Sequence, residues 1–267
     1  MKIAVCIKQV PASSDAKIDP ETKRIVREGS KAVVNPFDLY AIEEAISIKE
    51  QVGGEVVALS MGPEKAMSVL IEALSMGADR AVLLSDRAFG GSDTWATGYA
   101  LSKAIETIGG VDLILCGKQA VDGDTAQVGA GIAAQLDIRQ AANVWKIERI
   151  EKDAVTVKRM SERGYDIVKL QYPALLTVVK DINSPRIPKL HDARIARRKE
   201  IPVWKPEDIG ADPDLIGLKN SPTQVVKTAP PAARDAAALK IDEKPDAAAE
   251  HLVAELLKRK LVQGVNE

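Results

Sequence analysis

The sequence predicts an α/β fold in which a parallel sheet carries helices on both faces. Segments with strand and helix character alternate strictly from the N-terminus to about residue 136, an order typical of parallel strands joined by right-handed crossovers. Aromatic residues make up only 3% of the chain, and the dominant small aliphatic residues suit strands that are covered on both faces. Glycines or capping residues mark the ends of most helical segments.

In chain order, the predicted strands of the alternating part are residues 2–10, 56–60, 81–84 and 111–116. The predicted helices are residues 36–49, 63–76, 93–108 and 125–136. Asn35 before Pro36 signals a helix start, because asparagine can cap a helix and proline suits the first helical position. Residues 11–34 are charged and predicted to be irregular.

The pattern changes after residue 136. Three short segments, residues 144–149, 154–160 and 167–171, alternate with period two and predict an antiparallel meander. Residues 174–179 are apolar and could return to the sheet. Residues 193–200 (ARIARRKE) are basic, and prolines break the chain from there to a terminal helix over 246–262. We therefore expect an α/β domain over 1–192 and an extended C-terminal arm over 193–267 that either stays disordered or lies across another surface.

Composition excludes several classes of function. The 37 Lys and Arg residues nearly balance the 38 Asp and Glu residues. The chain therefore lacks the net positive charge that would attract nucleic acid or an anionic membrane. The start MKIAVCIKQV is too short for a signal sequence, and no stretch reaches about 18 apolar residues, so no membrane insertion is expected. Cys6 and Cys116 fall in predicted strands without metal-ligand spacing, which favours reduced core thiols and a cytoplasmic protein.

The most informative segment runs from Cys116 to Gly129 (CGKQAVDGDTAQVG), because it links an apolar strand to a helix. Free backbone N–H groups and the helix dipole at such a turn favour a phosphate or pyrophosphate. Asp122 and Asp124 cannot bind phosphate, so we expect them to cap the helix and accept hydrogen bonds from ribose hydroxyls or an amide.

A second turn, DRAFGGSDT over residues 86–94, also joins a strand to a helix. Its glycines could let a ligand approach the backbone, although a plain loop with Ser92 or Asp93 as helix cap explains it equally well. Together with Lys8 and Gln9 after the first strand, these turns would open on the carboxyl edge of one sheet. Ligands of open parallel sheets bind at that edge.

No catalytic residue and no metal site emerge from the sequence. His191 and His251 lack metal spacing and are expected to be solvated. The chain contains neither GxGxxG nor a phosphate loop ending in Gly-Lys-Ser/Thr, which argues against ordinary Rossmann dehydrogenases and kinases.

Five separated blocks of the sequence carry a family resemblance. They are VCIKQVP at the start, VNPFDLYAIEEAI near residue 40, ALSMGP at 58–63, GADRAVLLSDRAFGGSDTWAT and GKQAVDGDTAQVG. Their order and spacing resemble the β subunit of electron-transfer flavoprotein from residue 1 to about 202, and weakly through residues 221–224. The resemblance implies an adenine-nucleotide-binding, Rossmann-like α/β domain that forms a heterodimer with an α subunit.

The resemblance also implies a set of cofactor-binding residues. They are Cys6, Asn35, Pro36, Phe37, Asp38, Met61, Gly90, Gly91, Asp93, Thr94, Ala120, Val121, Asp122, Gly123, Asp124, Thr125, Ala126, Gln127, Val128, Gly129, Ala130 and Gly131.

Ordinary members of that family hold AMP at this site, whereas in the flavin-bifurcating subgroup a second FAD occupies it and NADH is the electron donor. The chain resembles the bifurcating subgroup through DRAFGGSDTWAT and through Gly123, where ordinary members tend to have a third acid. Glycine there would relieve crowding near a pyrophosphate. Ala130 departs from the proline that bifurcating sequences often carry.

Residues 181–186 (DINSPR) resemble the loop that docks an acyl-CoA dehydrogenase-type flavoenzyme. The resemblance implies that Ile182 is the apolar anchor, with Pro185 and Arg186 beside it. It also implies that the C-terminal arm wraps the α subunit.

Two alternatives to a bifurcating carrier remain at this stage. One is an ordinary electron carrier with structural AMP, and the other is a non-redox nucleotide-binding module of similar fold. An ATP-cleaving amidotransferase-like enzyme would need a Ser-Gly-Gly loop after the first strand, and residues 8–11 (KQVP) supply none.

Overall fold

The computed structural model describes residues 1–12, 32–226 and 240–262. Its strands are β1 Lys2–Cys6, β2 Gln9–Pro11, β3 Ala32–Val34, β4 Glu55–Met61, β5 Arg80–Leu84, β6 Leu113–Gly117, β7 Arg139–Ile150, β8 Ala154–Ser161, β9 Gly164–Gln171, β10 Ala174–Val178 and β11 Val203–Trp204. Its helices are α1 Pro36–Val52, α2 Met67–Met76, α3 Thr94–Ile108, α4 Val128–Gln135, α5 Leu190–Ala196 and α6 Pro245–Lys258.

The predicted α/β architecture is confirmed. One nine-stranded sheet has the order β11-β5-β4-β1-β6-β10-β7-β8-β9. From β11 to β7 in this order, every pair of neighbouring strands is parallel. The remaining pairs, β7 with β8 and β8 with β9, are antiparallel and form the expected meander. The apolar strand β10 returns to the sheet between β6 and β7, in parallel with both.

The strands bury alternate side chains on two faces, as strand geometry requires. On one face, Val5, Val56 and Leu115 pack with residues of α1 and α2. On the other face, Val57 and Ile114 pack with residues of α3 and α4. Because the chain runs from β1 to β4 to β5 in one direction and then returns to β6 on the far side of β1, right-handed crossovers put the later helices on the opposite face.

The first predicted strand, residues 2–10, is wrong in its extent. β1 ends at Cys6, and Gln9–Pro11 pairs instead with Ala32–Val34 in a separate two-stranded sheet. The chain leaves the ladder because the Lys8 N–H donates to the Asp38 side chain at 2.7 Å. The expectation of irregular structure over residues 11–34 therefore fails for residues 32–34, and residues 13–31 lie outside the described part.

Two helix starts also differ from the sequence-based prediction. The segment 63–76 begins with a 3₁₀ turn over Glu64–Ala66 before α2. The helix predicted over 125–136 begins only at Val128, because Asp124 and Ala126 have φ of 54°, which no right-handed helix accepts. Other boundaries move by a few residues: the meander strands begin earlier, at Arg139 and Gly164, and α6 ends at Lys258.

Contacts divide the chain into two units, Met1–Gln224 and Val225–Glu267. In the first unit, the early part of the predicted arm adds the short strand β11 beside β5. Ile209, Ala211 and Ile216 then bury their side chains in the cluster that contains α3. In the second unit, α6 exposes about half of Leu252 and Val253. The domain boundary at residue 192 stays a prediction.

Among the helices of the described residues, none is both long enough and apolar enough to cross a bilayer.

The central strand β6 should govern stability. Leu115→Ala removes a side chain with 0% exposure, so we expect a loss of about 2 to 5 kcal/mol in the free energy of unfolding. Urea denaturation followed by circular dichroism measures it. The control is Ile167→Ala, because Ile167 is 71% exposed on β9 and its loss should cost less than about 0.5 kcal/mol. Equal shifts for the two variants would contradict the burial pattern.

Candidate functional site

The candidate site lies where the connections from β1 and β6 part. The chain after β1 leads to α1 on one face of the sheet, and the chain after β6 leads to α4 on the other face. Such a divergence between adjacent parallel strands opens a crevice at their carboxyl ends. The predicted turn over residues 117–127 therefore lies at the position where open α/β sheets bind ligands.

Asn35 joins the two sides of this crevice. It is completely buried directly before α1. Its amide Nδ2 donates to the Gln119 carbonyl at 2.8 Å, and its Oδ1 accepts from the Val121 N–H at 3.1 Å. The same side chain thus holds two backbone groups of the loop after β6. Sequence reasoning placed Asn35 as a helix cap, but it makes no side-chain cap bond to α1, and its bonds go to the loop instead.

Asp38 orients Asn35 from the first turn of α1. One oxygen of its carboxylate accepts from Asn35 Nδ2 at 2.9 Å, and the other accepts from the Lys8 N–H at 2.7 Å. Burial raises the pKa of Asp38 to about 7, against the opposing effect of hydrogen bonds from Asn35, Lys8 and Gly117 and of the Lys8 charge. Gly117 permits this packing, because a Cβ there would lie 2.7 Å from the Phe37 carbonyl carbon.

A second link crosses the crevice on its solvent side. The Lys8 ammonium pairs with Asp122 at 2.7 Å, with side-chain exposures of 48% and 32%. An ion pair this exposed contributes little to folding. It nevertheless places a positive charge beside the loop, at the end of the strand where the sequence predicted it.

The loop over residues 121–127 is exposed along its whole length. Asp124 and Ala126 both adopt left-handed backbone conformations, with φ of 54°. Non-glycine residues in this region are uncommon and cluster at functional sites. Gln119 Nε2 donates to the Asp124 carboxylate, and the Asp124 N–H donates to the Ala120 carbonyl at 2.8 Å, so the loop is internally bonded.

The expectation that Asp122 and Asp124 cap the following helix is wrong. The residue before α4 is Gln127, and no side chain of the described residues caps this helix. The reason is the left-handed backbone at Asp124 and Ala126, which separates both aspartates from the helix start. The first turn of α4 therefore keeps N–H groups that could donate hydrogen bonds to an anion. Such anion binding is what the sequence predicted for this turn.

Small residues bring α3 against α4. A Cβ at Gly98 would lie 3.3 Å from the backbone of Gly131, and Thr94 Oγ1 donates to Gln127 Oε1 at 3.0 Å. Gly129 faces β10, where its Cβ would lie 2.6 Å from the methyl group of Thr177. Gly98 and Gly129 therefore have structural reasons to be small. A Cβ at Gly131 would meet only the Thr94 carbonyl oxygen, at 3.8 Å, and Gly123 has no heavy atom within 4 Å of the position of a Cβ.

The turn over residues 86–94 is held by the chain itself. Asp93 caps α3 by accepting from the N–H groups of Trp95 and Ala96, both at 3.0 Å. Its second oxygen accepts from the N–H and hydroxyl of Thr223 at 2.9 and 2.7 Å. Burial would raise the pKa of Asp93, but these hydrogen bonds hold it below the usual value.

The glycines of the same turn face the arm. Gly90 accepts at its carbonyl from the Leu218 N–H at 3.1 Å, and a Cβ on Gly91 would lie 2.7 Å from the Leu218 Cβ. Ser221, which the sequence did not single out, accepts the Asp93 N–H at 2.9 Å. A Cβ at Gly90 would lie 3.0 Å from the Arg87 carbonyl oxygen. The absence of side chains at Gly90 and Gly91 thus has a packing cause, and their contact with a ligand stays a prediction.

The two cysteines lie side by side beneath the crevice. Cys6 of β1 and Cys116 of β6 are register partners, and both are free and buried. A hydrogen bond with the Cys6 thiol and then burial hold the pKa of Cys116 well above its usual range. A thiol with such a pKa is protonated and chemically inert. Met61 ends β4 at the same edge of the sheet and packs on the same cluster as Cys6.

The predicted docking loop, residues 181–186, is bound to α1. Arg186 contacts Glu43 at 2.8 and 2.9 Å and Glu50 at 2.7 and 3.0 Å. Asn183 donates to the Tyr40 carbonyl at 3.0 Å and to Glu44 at 2.8 Å. Arg186 therefore fixes the loop on the helix that begins at the crevice.

The apolar side chains of this loop are not equally exposed. Ile182 is partly buried and packs on the core cluster. By contrast, Ile187, which directly follows the predicted loop, is 90% exposed, and Leu190 at the start of α5 is 75% exposed. Sequence alone could not separate these isoleucines, because the fold decides which of them contacts the core.

The chain matches known proteins over most of its length. Residues 22–209 match the model of the electron transfer flavoprotein domain. The chain is 51% identical to the electron transfer flavoprotein subunit beta of Thermoanaerobacterium thermosaccharolyticum, over 86% of this chain and 88% of the relative. It is 44% identical to the electron transfer flavoprotein subunit beta of Megasphaera elsdenii, over 98% and 100% of the two chains.

A third relative is the caffeyl-CoA reductase-Etf complex subunit CarD of Acetobacterium woodii. It is 47% identical over 88% of this chain and 89% of its own length. The family model includes α1, β6 and α4, whereas β1 and Lys8 precede the matched residues.

The ion pairs of Arg186 give a testable pH dependence. Burial would raise the pKa of Glu43, but hydrogen bonds and attraction from Arg186 lower it below 4.5. A lowered folded-state pKa adds stability above the ordinary value, and this stability is lost as the pH falls through the folded-state pKa. We expect Arg186→Gln to cost about 1 to 3 kcal/mol at pH 7, with a smaller difference from wild type below pH 4.

Urea denaturation at both pH values measures this effect. The control is Arg80→Gln, because the Arg80–Glu55 pair is more exposed, at 51% and 31%, and should be worth less than about 1 kcal/mol. A cost for Arg186→Gln that stays the same at pH 7 and pH 3.5 would contradict the assigned ion pair.

Proposed function

This chain belongs to the electron transfer flavoprotein family as a β subunit, and on that premise we propose that it binds FAD in the crevice between β1 and β6. In this proposal the FAD takes electrons from NADH and passes them on singly, both to a flavin of an α subunit and to an acyl-CoA dehydrogenase-type acceptor. The redox chemistry belongs to the cofactor, and the protein binds, orients and tunes it.

One observation carries the proposal: an exposed, internally bonded loop precedes a helix that lacks a side-chain cap among the described residues. The N–H groups of Val128 and Gly129 in its first turn fit a pyrophosphate, which would accept hydrogen bonds and interact with the positive end of the helix. Lys8 adds a positive charge nearby. A charged phosphate group is thus matched by donors on both sides of the crevice.

The acidic residues of the loop suit the ribose rather than the phosphates. Asp122 and Asp124 expose their carboxylates beside the crevice, and ionised carboxylates can only accept hydrogen bonds. Ribose hydroxyls are donors that such carboxylates can bind. In this proposal the backbone N–H groups bind the phosphates and the carboxylates bind the sugar.

The chain's own residues would prepare the site in three ways. Asn35 holds the loop against α1, Thr94 and Gln127 hold the start of α4 against α3, and the bonds between Asp93 and Thr223 fix the neighbouring turn. Such preorganisation reduces the entropy that a nucleotide loses from the protein on binding.

The α subunit is the partner that we propose for residues 225–267. Basic and acidic residues balance in this region, prolines stand at positions 230, 231 and 245, and α6 presents Leu252, Val253 and Leu257 to solvent. An apolar stripe of this kind suits burial against another protein. The free, buried thiols of Cys6 and Cys116 agree with a cytoplasmic complex.

One experiment distinguishes FAD from AMP as the nucleotide bound by this chain. The purified complex with the α subunit is denatured, and the released nucleotides are separated by chromatography and identified by mass spectrometry. Two FAD per complex, with flavin reduction by NADH, would support the proposal. One FAD with one AMP would replace FAD by structural AMP at this site, and no nucleotide beyond the partner's FAD would refute nucleotide binding by this chain.

Gly123 should discriminate between the two nucleotides. Nothing lies within 4 Å of its Cβ position, so Gly123→Asp should leave the fold intact. An added carboxylate would repel a pyrophosphate, and we expect the FAD content to fall about tenfold, a change of about 1.4 kcal/mol in binding. The control is Gly123→Asn, which has a similar size and no charge. Equal FAD content in the two variants would contradict a pyrophosphate at this position.

The docking loop yields a separate prediction. If residues 181–187 dock the dehydrogenase, the anchor must be exposed, so Ile187→Ala should slow electron delivery about tenfold, as loss of one hot-spot contact of about 1.4 kcal/mol would. The measurement is reduction of the acyl-CoA dehydrogenase followed by absorbance.

Ile182→Ala is the comparison, because Ile182 packs on the core and its removal should lower stability as well. A rate defect for Ile182→Ala without any change for Ile187→Ala would restore Ile182 as the anchor. Unchanged rates for both would refute docking by this loop.

A further inference from the structure

The buried carboxylate of Asp38 is bonded to groups of the protein itself. The side chain is 5% exposed, and its two oxygens accept from Lys8 N, Asn35 Nδ2 and the Gly117 N–H. All three partners are N–H donors that belong to three different segments of the crevice. The carboxylate therefore acts as a common acceptor that joins the end of β1, the start of α1 and the end of β6.

The orientation of the Asn35 amide depends on this carboxylate. With Nδ2 directed at Asp38 and at the Gln119 carbonyl, Oδ1 is left to accept the Val121 N–H. If the amide were rotated by 180°, Nδ2 would face the Val121 N–H and Oδ1 would face the Gln119 carbonyl. Both contacts would then be repulsive, so only one orientation of Asn35 holds the loop.

We propose that Asp38 is a positioning residue that controls nucleotide binding through Asn35: the ionised carboxylate holds the amide in the orientation that grips the loop, and protonation of Asp38 releases it. This inference rests on the proposed nucleotide site. It assigns Asp38 an indirect role in place of the direct contact that the family resemblance implies.

Protonation has this effect because the new O–H needs an acceptor. Lys8 N and Gly117 N are backbone donors that cannot reverse, and the Asn35 amide is the neighbour that can. Rotation would let Asn35 Oδ1 accept from the protonated Asp38, and the bonds to Gln119 and Val121 would be lost. Protonation of Asp38 thus leaves the loop after β6 without the two hydrogen bonds that hold it.

The groups that face Asp38 set the pH range of this change. Burial is the largest influence and raises the pKa of Asp38 to about 7. The Lys8 ammonium opposes it from the end of β1, while Asp122 pairs with Lys8 on the solvent side. The Cys116 thiol of β6, bonded to the Cys6 thiol of β1, stays protonated and adds no charge. Protonation of Asp38 therefore falls between pH 6 and 8.

The sign of the effect follows from linkage. Nucleotide binding to the ionised form releases the proton of Asp38, so affinity is full above pH 8 and falls as the pH drops through about 7. One released proton corresponds to about a tenfold loss of affinity between pH 8 and pH 6. Folding stability changes in the opposite direction: because the folded-state pKa is raised above 3.8, the free energy of unfolding decreases from about pH 4 to 7.

The experiment is a calorimetric titration of FAD into the full complex whose α subunit already holds its own flavin. It is done at pH 6 and pH 8, in two buffers with different ionisation enthalpies, which reports the number of protons released. FAD is the first probe because its pyrophosphate does not titrate in this range, whereas a phosphate monoester such as AMP titrates near pH 6, at about the value known for phosphorylated side chains.

Wild type should bind FAD about tenfold more weakly at pH 6 than at pH 8 and should release close to one proton at pH 6. Asp38→Asn removes an acceptor and the titration together, so it should bind more weakly at both pH values with a flat profile. The matched control is Glu44→Gln, which replaces another acid of α1 with a raised pKa that is also bonded to an asparagine, Asn183. Glu44→Gln should keep the wild-type profile.

The outcomes separate this inference from the proposed function. Wild-type binding that is equal at pH 6 and 8 and releases no proton overturns the role of Asp38 while the nucleotide site stands. Should Asp38→Asn not fold, the proton release of wild type still decides. If FAD does not bind, the titration is repeated with AMP. The pH dependence of AMP binding to Asp38→Asn is then subtracted from that of wild type, because the phosphate of AMP itself titrates in this range. Binding of neither nucleotide at either pH overturns both claims.

Discussion

The site depends on a topological constraint, the reversal of strand order at β1. Strands β4 and β5 are added on one side of β1 and β6 on the other, so the connections from β1 and β6 must leave the sheet on opposite faces. Nothing in the sheet fills the gap between them. The polar side chains of Asn35, Asp38 and Lys8 bridge this gap, which is why a buried asparagine and a buried aspartate occur at the edge of an otherwise aliphatic core.

The fold could be predicted from the sequence because its signals are local. Asn35-Pro36 marks the start of α1 and Asp93 caps α3, and both are confirmed in the structure. The errors have non-local causes. Lys8 leaves the first strand because Asp38, 30 residues later, accepts its N–H. The late start of α4 results from left-handed backbone at Asp124 and Ala126. Aspartate adopts this conformation more often than most residues but still rarely, and alanine gives no such signal.

The site itself was only partly predictable, for a related reason. The letters around Asp122 and Asp124 indicate a polar turn, but they do not reveal that Asn35 grips that turn from 84 and 86 residues away. Likewise, Gly90 and Gly91 look like residues that make room for a ligand, whereas Leu218 of the later chain fills the space beside Gly91. A glycine shows that space is needed, and only the tertiary structure shows what occupies it.

The buried carboxylate of Asp38 makes the crevice less stable than an apolar core would be. Burying the Asp38 carboxylate is unfavourable, and this burial raises its pKa. The exposed ion pair between Lys8 and Asp122 adds little to the free energy of unfolding. An apolar residue at position 38 could pack against β6 at lower cost, but it would leave the Lys8 and Gly117 N–H groups and the Asn35 amide without an acceptor. The loop after β6 would then lose its single fixed position. A buried charge that costs stability and fixes a loop is the arrangement expected where a binding site, rather than the fold, determines the residue.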